Sequence, residues 1–151
     1  VGLSYEGIAW FTGAAVMLGT LPPMHIVLLA LLYSIGAHGI MTLNDFKAIE
    51  GDRRLGIRTL PVQLGPDRAA RVACIVMTLP QLVVIAGLAV SDRLSHAAII
   101  ALLVLGQVYL MRIMLRDPRA KAPWYNATGT TLYVLGMMVA AFAVRGLGGA
   151  G

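Results

Sequence analysis

Three acids, one amide and three bases crowd into the run Asn44-Asp45-Phe46-Lys47-Ala48-Ile49-Glu50-Gly51-Asp52-Arg53-Arg54, with Arg58 just beyond it. Carboxylates that face a common cavity suit a hard cation such as Mg²⁺, which keeps several waters and bridges substrate phosphates. Lys47, Arg53 and Arg58 are of the types that answer the charge of a diphosphate. On one continuous helix Asp45 and Asp52, seven residues apart, would share a face and stand about 10 Å from each other along the axis. Gly51 weakens helix between them, so a turn at Asp52 is the other geometry open to the segment. The same residues also fit a juxtamembrane charge cluster that sets topology and meets lipid headgroups. Residue types alone leave both readings open.

The elements that must position this run are apolar. Of 151 residues, 58% are apolar and 13% charged, with a mean hydropathy of +0.80; a soluble domain has roughly 45–50% and about 25%. A globule of this size has too little interior to hide so much apolar surface. The same numbers exclude disorder, and the single cysteine, Cys74, excludes a disulfide scaffold. The chain reads as an integral membrane protein, all-α, with about five transmembrane helices in one bundle. Apolar runs cover about 8–21, ending at Pro22-Pro23, then 24–43, 69–90 with Pro80 inside, 96–115 and 128–144. A connecting loop of about 45–68 holds the polar run. No signal peptide is recognisable at Val1, and the chain is expected to be the C-terminal part of a larger single domain.

Charge distribution sets the orientation. Six of the twelve Lys and Arg lie between Lys47 and Arg71 and four between Arg112 and Lys121; Arg93 and Arg145 are the other two. With both clusters on the cytoplasmic side, the bias is ten against two, as the positive-inside rule favours. A net charge of +5 distributed in this way points to a membrane, and no nucleic-acid partner is expected.

The string Asn44-Asp45 to Glu50-Gly51-Asp52-Arg53, followed by Gly56-Ile57-Arg58-Thr59-Leu60-Pro61-Val62, resembles the second aspartate-rich region of the UbiA superfamily of intramembrane prenyltransferases. Together with Ala122-Pro123-Trp124-Tyr125-Asn126-Ala127-Thr128-Gly129, it is most similar to the bacteriochlorophyll and chlorophyll synthase branch. The resemblance runs over essentially the whole chain. It implies a bundle of about nine helices, of which those here would be the last five, with two Asp-rich motifs that hold Mg²⁺ on a prenyl diphosphate. It further implies transfer of a geranylgeranyl or phytyl group to the propionate carboxylate of bacteriochlorophyllide a. On that resemblance Asp45 and Asp52 are the catalytic metal ligands, supported by Asn44 and Glu50, while Lys47, Arg53 and Arg58 contact diphosphate. Two departures accompany it. Many members carry Asp-x-x-Asp-x-x-x-Asp, and here the middle position is Ala48. The first Asp-rich motif, placed by the family on an earlier helix, is not in this sequence, so the isolated 151-residue chain is expected to be inactive without the helices that carry it.

Other residues offer weaker signals. His25 and His38 are candidates for an axial ligand to a chlorin magnesium, set against ordinary buried histidines bonded within a bundle. Glu6 is a candidate for the cavity wall. Two rival functions accompany the prenyltransferase expectation: the same chemistry on another acceptor, such as a quinone precursor or a haem, and a non-catalytic membrane subunit of a pigment–protein assembly.

Overall fold

The computed structural model describes residues 16, 17, 19 and 21–145. Most of the apolar run expected at 8–21, and Glu6 before it, lie outside the described residues. Pro22-Pro23 precedes the first long helix, α1 (Met24–Asn44). Two short helices follow, α2 (Ile49–Arg54) and α3 (Leu60–Leu64), then three long ones, α4 (Pro66–Val90), α5 (Leu94–Met114) and α6 (Pro118–Val144). No strand occurs among the described residues. Helices α1, α4, α5 and α6 are each long and apolar enough to cross a membrane. The chain is an all-α, multi-pass membrane protein.

Three helices start earlier than their apolar runs, α5 by two residues and the other two by more. Asp117 caps α6 by accepting from the Ala120 amide at 3.2 Å, and Pro118 occupies the first helical position. The helix therefore begins ten residues before the apolar run at 128, and the whole Ala122–Gly129 string is helical. Likewise α4 opens at Pro66. Apolar runs mark what faces lipid, whereas caps and prolines mark where the backbone turns helical. Helix α4 also passes through Pro80. That proline cannot donate to the Val76 carbonyl, and the next carbonyl, Met77, accepts from the Gln81 side chain at 2.9 Å.

Helix α1 packs on α4 and α6, and α5 packs on the same two from the other side. Small residues let the backbones approach, since lipid supplies no hydrophobic drive between helices. A Cβ at Gly39 would overlap Met77 and the Ala73 carbonyl of α4, and one at Gly36 would overlap the Tyr133 ring of α6. Tyr33 and Tyr133 meet edge to face with centroids 5.4 Å apart, and the Tyr133 hydroxyl donates to the Tyr33 carbonyl at 2.6 Å. Gln81 and Gln107, both 1% exposed, exchange amide hydrogen bonds of 3.1 and 2.9 Å between α4 and α5. Outward-facing Leu28, Ile75, Leu102, Leu105 and Phe142 are exposed, as a lipid-facing surface requires. The alternation of helix direction brings the segments before α4 and before α6 to one end of the bundle. There Arg119 pairs with Glu50 and Asn126 bonds Asn44.

Candidate active site at the charged end of the bundle

Helix α1 stops at Asn44, and Asp45–Lys47 forms a tighter 3₁₀ turn. At Ala48 the backbone widens away from ideal helix angles (φ −106°, ψ 0°) while staying right-handed, and a turn separates the two pieces before α2 begins. Asp45 and Asp52 are thus carried on two successive helical pieces with a break between them. Phe46 and Ile49, 5% and 3% exposed, plug this segment into the core. Asp45 and Asp52 are left half-buried, while Lys47, Glu50, Arg53, Arg54 and Arg58 face outward.

Asp52 is held twice. Gly56 takes the left-handed conformation at φ +70°, the Gly56 amide donates to the Arg53 carbonyl at 3.4 Å, and the Ile57 amide donates to the Asp52 carbonyl at 2.8 Å. That pair of bonds is the Schellman ending, which glycine adopts without steric cost. The chain then returns, and the Thr59 hydroxyl donates to Asp52 Oδ2 at 3.1 Å. Thr59 stands at the N-cap of α3 without capping it, and Pro61, two residues on, has no amide hydrogen to offer a cap. The hydroxyl is thereby released for the carboxylate.

The Asp45 carboxylate loses solvation through partial burial and, to a smaller extent, feels the like charge of Asp52. Among the described residues Arg119–Glu50 is the one ion pair, so neither aspartate is neutralised within them. Two half-buried carboxylates with uncompensated charge fit a divalent cation. They do not enclose one: among the described residues no three His, Cys, Asp or Glu side chains gather around a point. Mg²⁺ accepts such a site, taking one or two carboxylates and leaving its other positions to water and phosphate oxygens.

Asn44 and Glu50 are engaged with α6. Asn44 Oδ1 accepts from Asn126 Nδ2 at 2.8 Å. Glu50 is bonded by Arg119, whose hydrogen bond and charge, with smaller contributions from Arg53 and Arg54, hold its carboxyl below the usual carboxylate range. Arg53 and Arg54 stand near that carboxylate, and the Arg58 carbonyl accepts from Gln63. The two histidines do not converge: thirteen residues separate them along α1, about 20 Å at helical rise. His38 Nδ1 lies 3.3 Å from the Ser34 carbonyl one turn back. Between α1 and α6 runs an apolar groove of about 500 Å³, bordered by Tyr33, Ala37, Ile40, Tyr133 and Met137. Sequence reasoning did not single out Thr59, Arg119 or Asn126 as individual site residues. Thr59 and Asn126 stood within the motif strings, while Arg119 stood among the basic residues before α6.

The UbiA prenyltransferase family model matches residues 1–135, and the chain belongs to that family. It is 60% identical over 147 residues to the bacteriochlorophyll synthase 33 kDa chain of Cereibacter sphaeroides, a match covering 97% of this chain and 49% of the relative. It is 42% identical to the bacteriochlorophyll synthase 34 kDa chain of Chloroflexus aurantiacus, over 95% of this chain and 46% of that one. It is 40% identical to the chloroplastic chlorophyll synthase of Avena sativa, over 95% and 38%. The chain spans about half the length of the curated relatives it matches most fully. No solved structure matches it.

Proposed function

We propose that this UbiA-family chain forms part of a membrane-embedded bacteriochlorophyll synthase, which transfers a geranylgeranyl or phytyl group from its diphosphate to the propionate carboxylate of bacteriochlorophyllide a. The observation that carries the proposal is the 60% identity to a bacteriochlorophyll synthase chain over 97% of the sequence. The half-buried, unneutralised pair Asp45 and Asp52 supports it at the site. Neither the branch identity nor the arrangement favours a quinone precursor, a haem or a non-catalytic subunit.

In the reaction the allylic C–O bond of the donor breaks, diphosphate departs with the electron pair, and a propionate oxygen of the acceptor forms the new C–O bond. Asp45 and Asp52 would hold Mg²⁺, with Asn44 and Glu50 as neighbouring supports. When bound, that ion supplies positive charge to the departing diphosphate. Lys47, Arg53 and Arg58 add guanidinium and ammonium donors to the same oxygens. The groove between α1 and α6 offers an apolar course for an isoprenoid tail, away from water that would capture an allylic cation. The charged end of the bundle would face the cytoplasm, in the inner or photosynthetic membrane. The rest of the protein would bring the first Asp-rich motif to the same pocket.

The test uses membranes containing the full-length protein, given bacteriochlorophyllide a and geranylgeranyl diphosphate with and without Mg²⁺, beside membranes containing the 151-residue chain alone. Mg²⁺-dependent ester from the full-length protein, absent from the 151-residue chain, is expected. No ester from the full-length protein overturns the assignment.

A further inference from the structure

Asn126 and Arg119 are seven residues apart on α6, two helical turns, so they share a face and stand about 10 Å from each other along the axis. Asn126 reaches Asn44 and Arg119 reaches Glu50. These two partners bracket Asp45 in sequence, one immediately before it and one five residues after. The N-terminal part of α6 therefore grips both ends of the segment that carries the first aspartate. The two grips are unequal. Arg119 and Glu50 are more than half exposed, where an ion pair contributes little. Asn126 is half-buried although its partner Asn44 is exposed, and among the described residues the Asn126 Oδ1 is buried with no hydrogen-bond partner. An unpaired buried amide oxygen is costly, and a residue that only filled space there would be apolar. Tyr125, fully buried beside it, fixes the turn from which the amide projects.

We propose that Asn126 is a positioning residue for the carboxylate site: its hydrogen bond holds Asn44, the last residue of α1, and so sets the direction in which the adjoining Asp45 faces a divalent cation. The inference rests on Asp45 and Asp52 being cation ligands. In this role Asn126 acts through Asn44, across 82 residues of sequence.

The probe is Mn²⁺, titrated onto the purified full-length protein in detergent and followed by the electron paramagnetic resonance of the free ion, a readout independent of turnover. Asn126→Ala and the near-isosteric Asn126→Leu are expected to weaken Mn²⁺ affinity about tenfold, the lower end for residues that orient metal ligands. Asn44→Ala should do the same, and the double variant Asn44→Ala/Asn126→Ala should be no weaker than either single one. In turnover assays of the two Asn126 variants the Mg²⁺ requirement should rise while kcat at saturating Mg²⁺ stays within about threefold, a split that general destabilisation would not produce. Wild-type Mn²⁺ affinity in Asn126→Leu with intact helical circular dichroism, or losses that multiply in the double variant, overturns the positioning role. If Asp45→Ala and Asp52→Ala leave Mn²⁺ affinity unchanged, the ligand assignment fails instead. If all the Mn²⁺ results hold and no ester forms, prenyl transfer fails while the role of Asn126 stands.

Discussion

At Asp52 two restraints of different kinds meet, a backbone turn that fixes its carbonyl and a hydroxyl that fixes its carboxylate. Removing the second without the first isolates what orientation contributes. Thr59→Val keeps the shape and deletes the donor, so the carboxylate stays in place and regains rotational freedom. Prenyl transfer by the full-length protein at limiting Mg²⁺ is expected to fall about tenfold, whereas Asp45→Ala or Asp52→Ala should abolish it with insertion into the membrane unchanged; activity in both aspartate variants equal to wild type would remove them from the site. Glu50 behaves differently because it is exposed and its partner is a surface arginine. Its carboxyl is held low by Arg119, so the stabilisation from this pair is present above the unfolded carboxylate's ordinary value of 4.5 and is lost as pH falls through the lowered folded value. Arg119→Ala should therefore differ slightly from wild type in thermal stability at neutral pH and low salt. That difference should vanish in acid or at high ionic strength, as parallel melting curves would show.

Between residues and bundle stand the helices, and their legibility in the sequence was uneven for physical reasons. The long runs of α1, α4 and α5 could be read because a helix facing lipid must be apolar on most of its surface. The true start of α6 was obscured because Arg119 and Lys121 interrupt the apolar signal, although Asp117-Pro118 is itself a helix-start signature. The break at Ala48 and the bonds from Asn126 and Arg119 to the acidic segment could not be read, since they depend on how α1 and α6 pack. The Gln81–Gln107 clasp was equally hidden, and it makes a prediction. Gln107→Leu leaves the Gln81 amide with one partner lost in an apolar interior and should cost about 1 kcal/mol. Replacing both by Leu should cost less than that single change, because no unpaired amide remains. At the turn after α2, Gly56→Ala meets no neighbouring atom, so its cost is the left-handed backbone alone, about 1–2 kcal/mol. Denaturation of the purified protein in detergent would measure all three.

For the molecule as a whole, the two basic segments are made one surface by the bundle. Lys47 to Arg71 and Arg112 to Lys121 are far apart in sequence, and the pairs Glu50–Arg119 and Asn44–Asn126 bring them to the same end. Ten of the twelve cationic residues therefore lie towards that end, with Arg93 near the turn after α4 and Arg145 after α6 at the other. Membrane insertion retains positive charge on the cytoplasmic side, so the orientation expected from the charge bias has the end that carries Asp45 and Asp52 open towards the cytoplasm. Single cysteines placed in a cysteine-free full-length protein would read this directly. Gln63 is exposed before α4, and Ser91 is exposed in the turn after it. Ser91→Cys should react with a membrane-impermeant maleimide added to spheroplasts, and Gln63→Cys should react only after the membrane is permeabilised. The reverse pattern would place Asp45 and Asp52 on the outer side and overturn the proposed orientation.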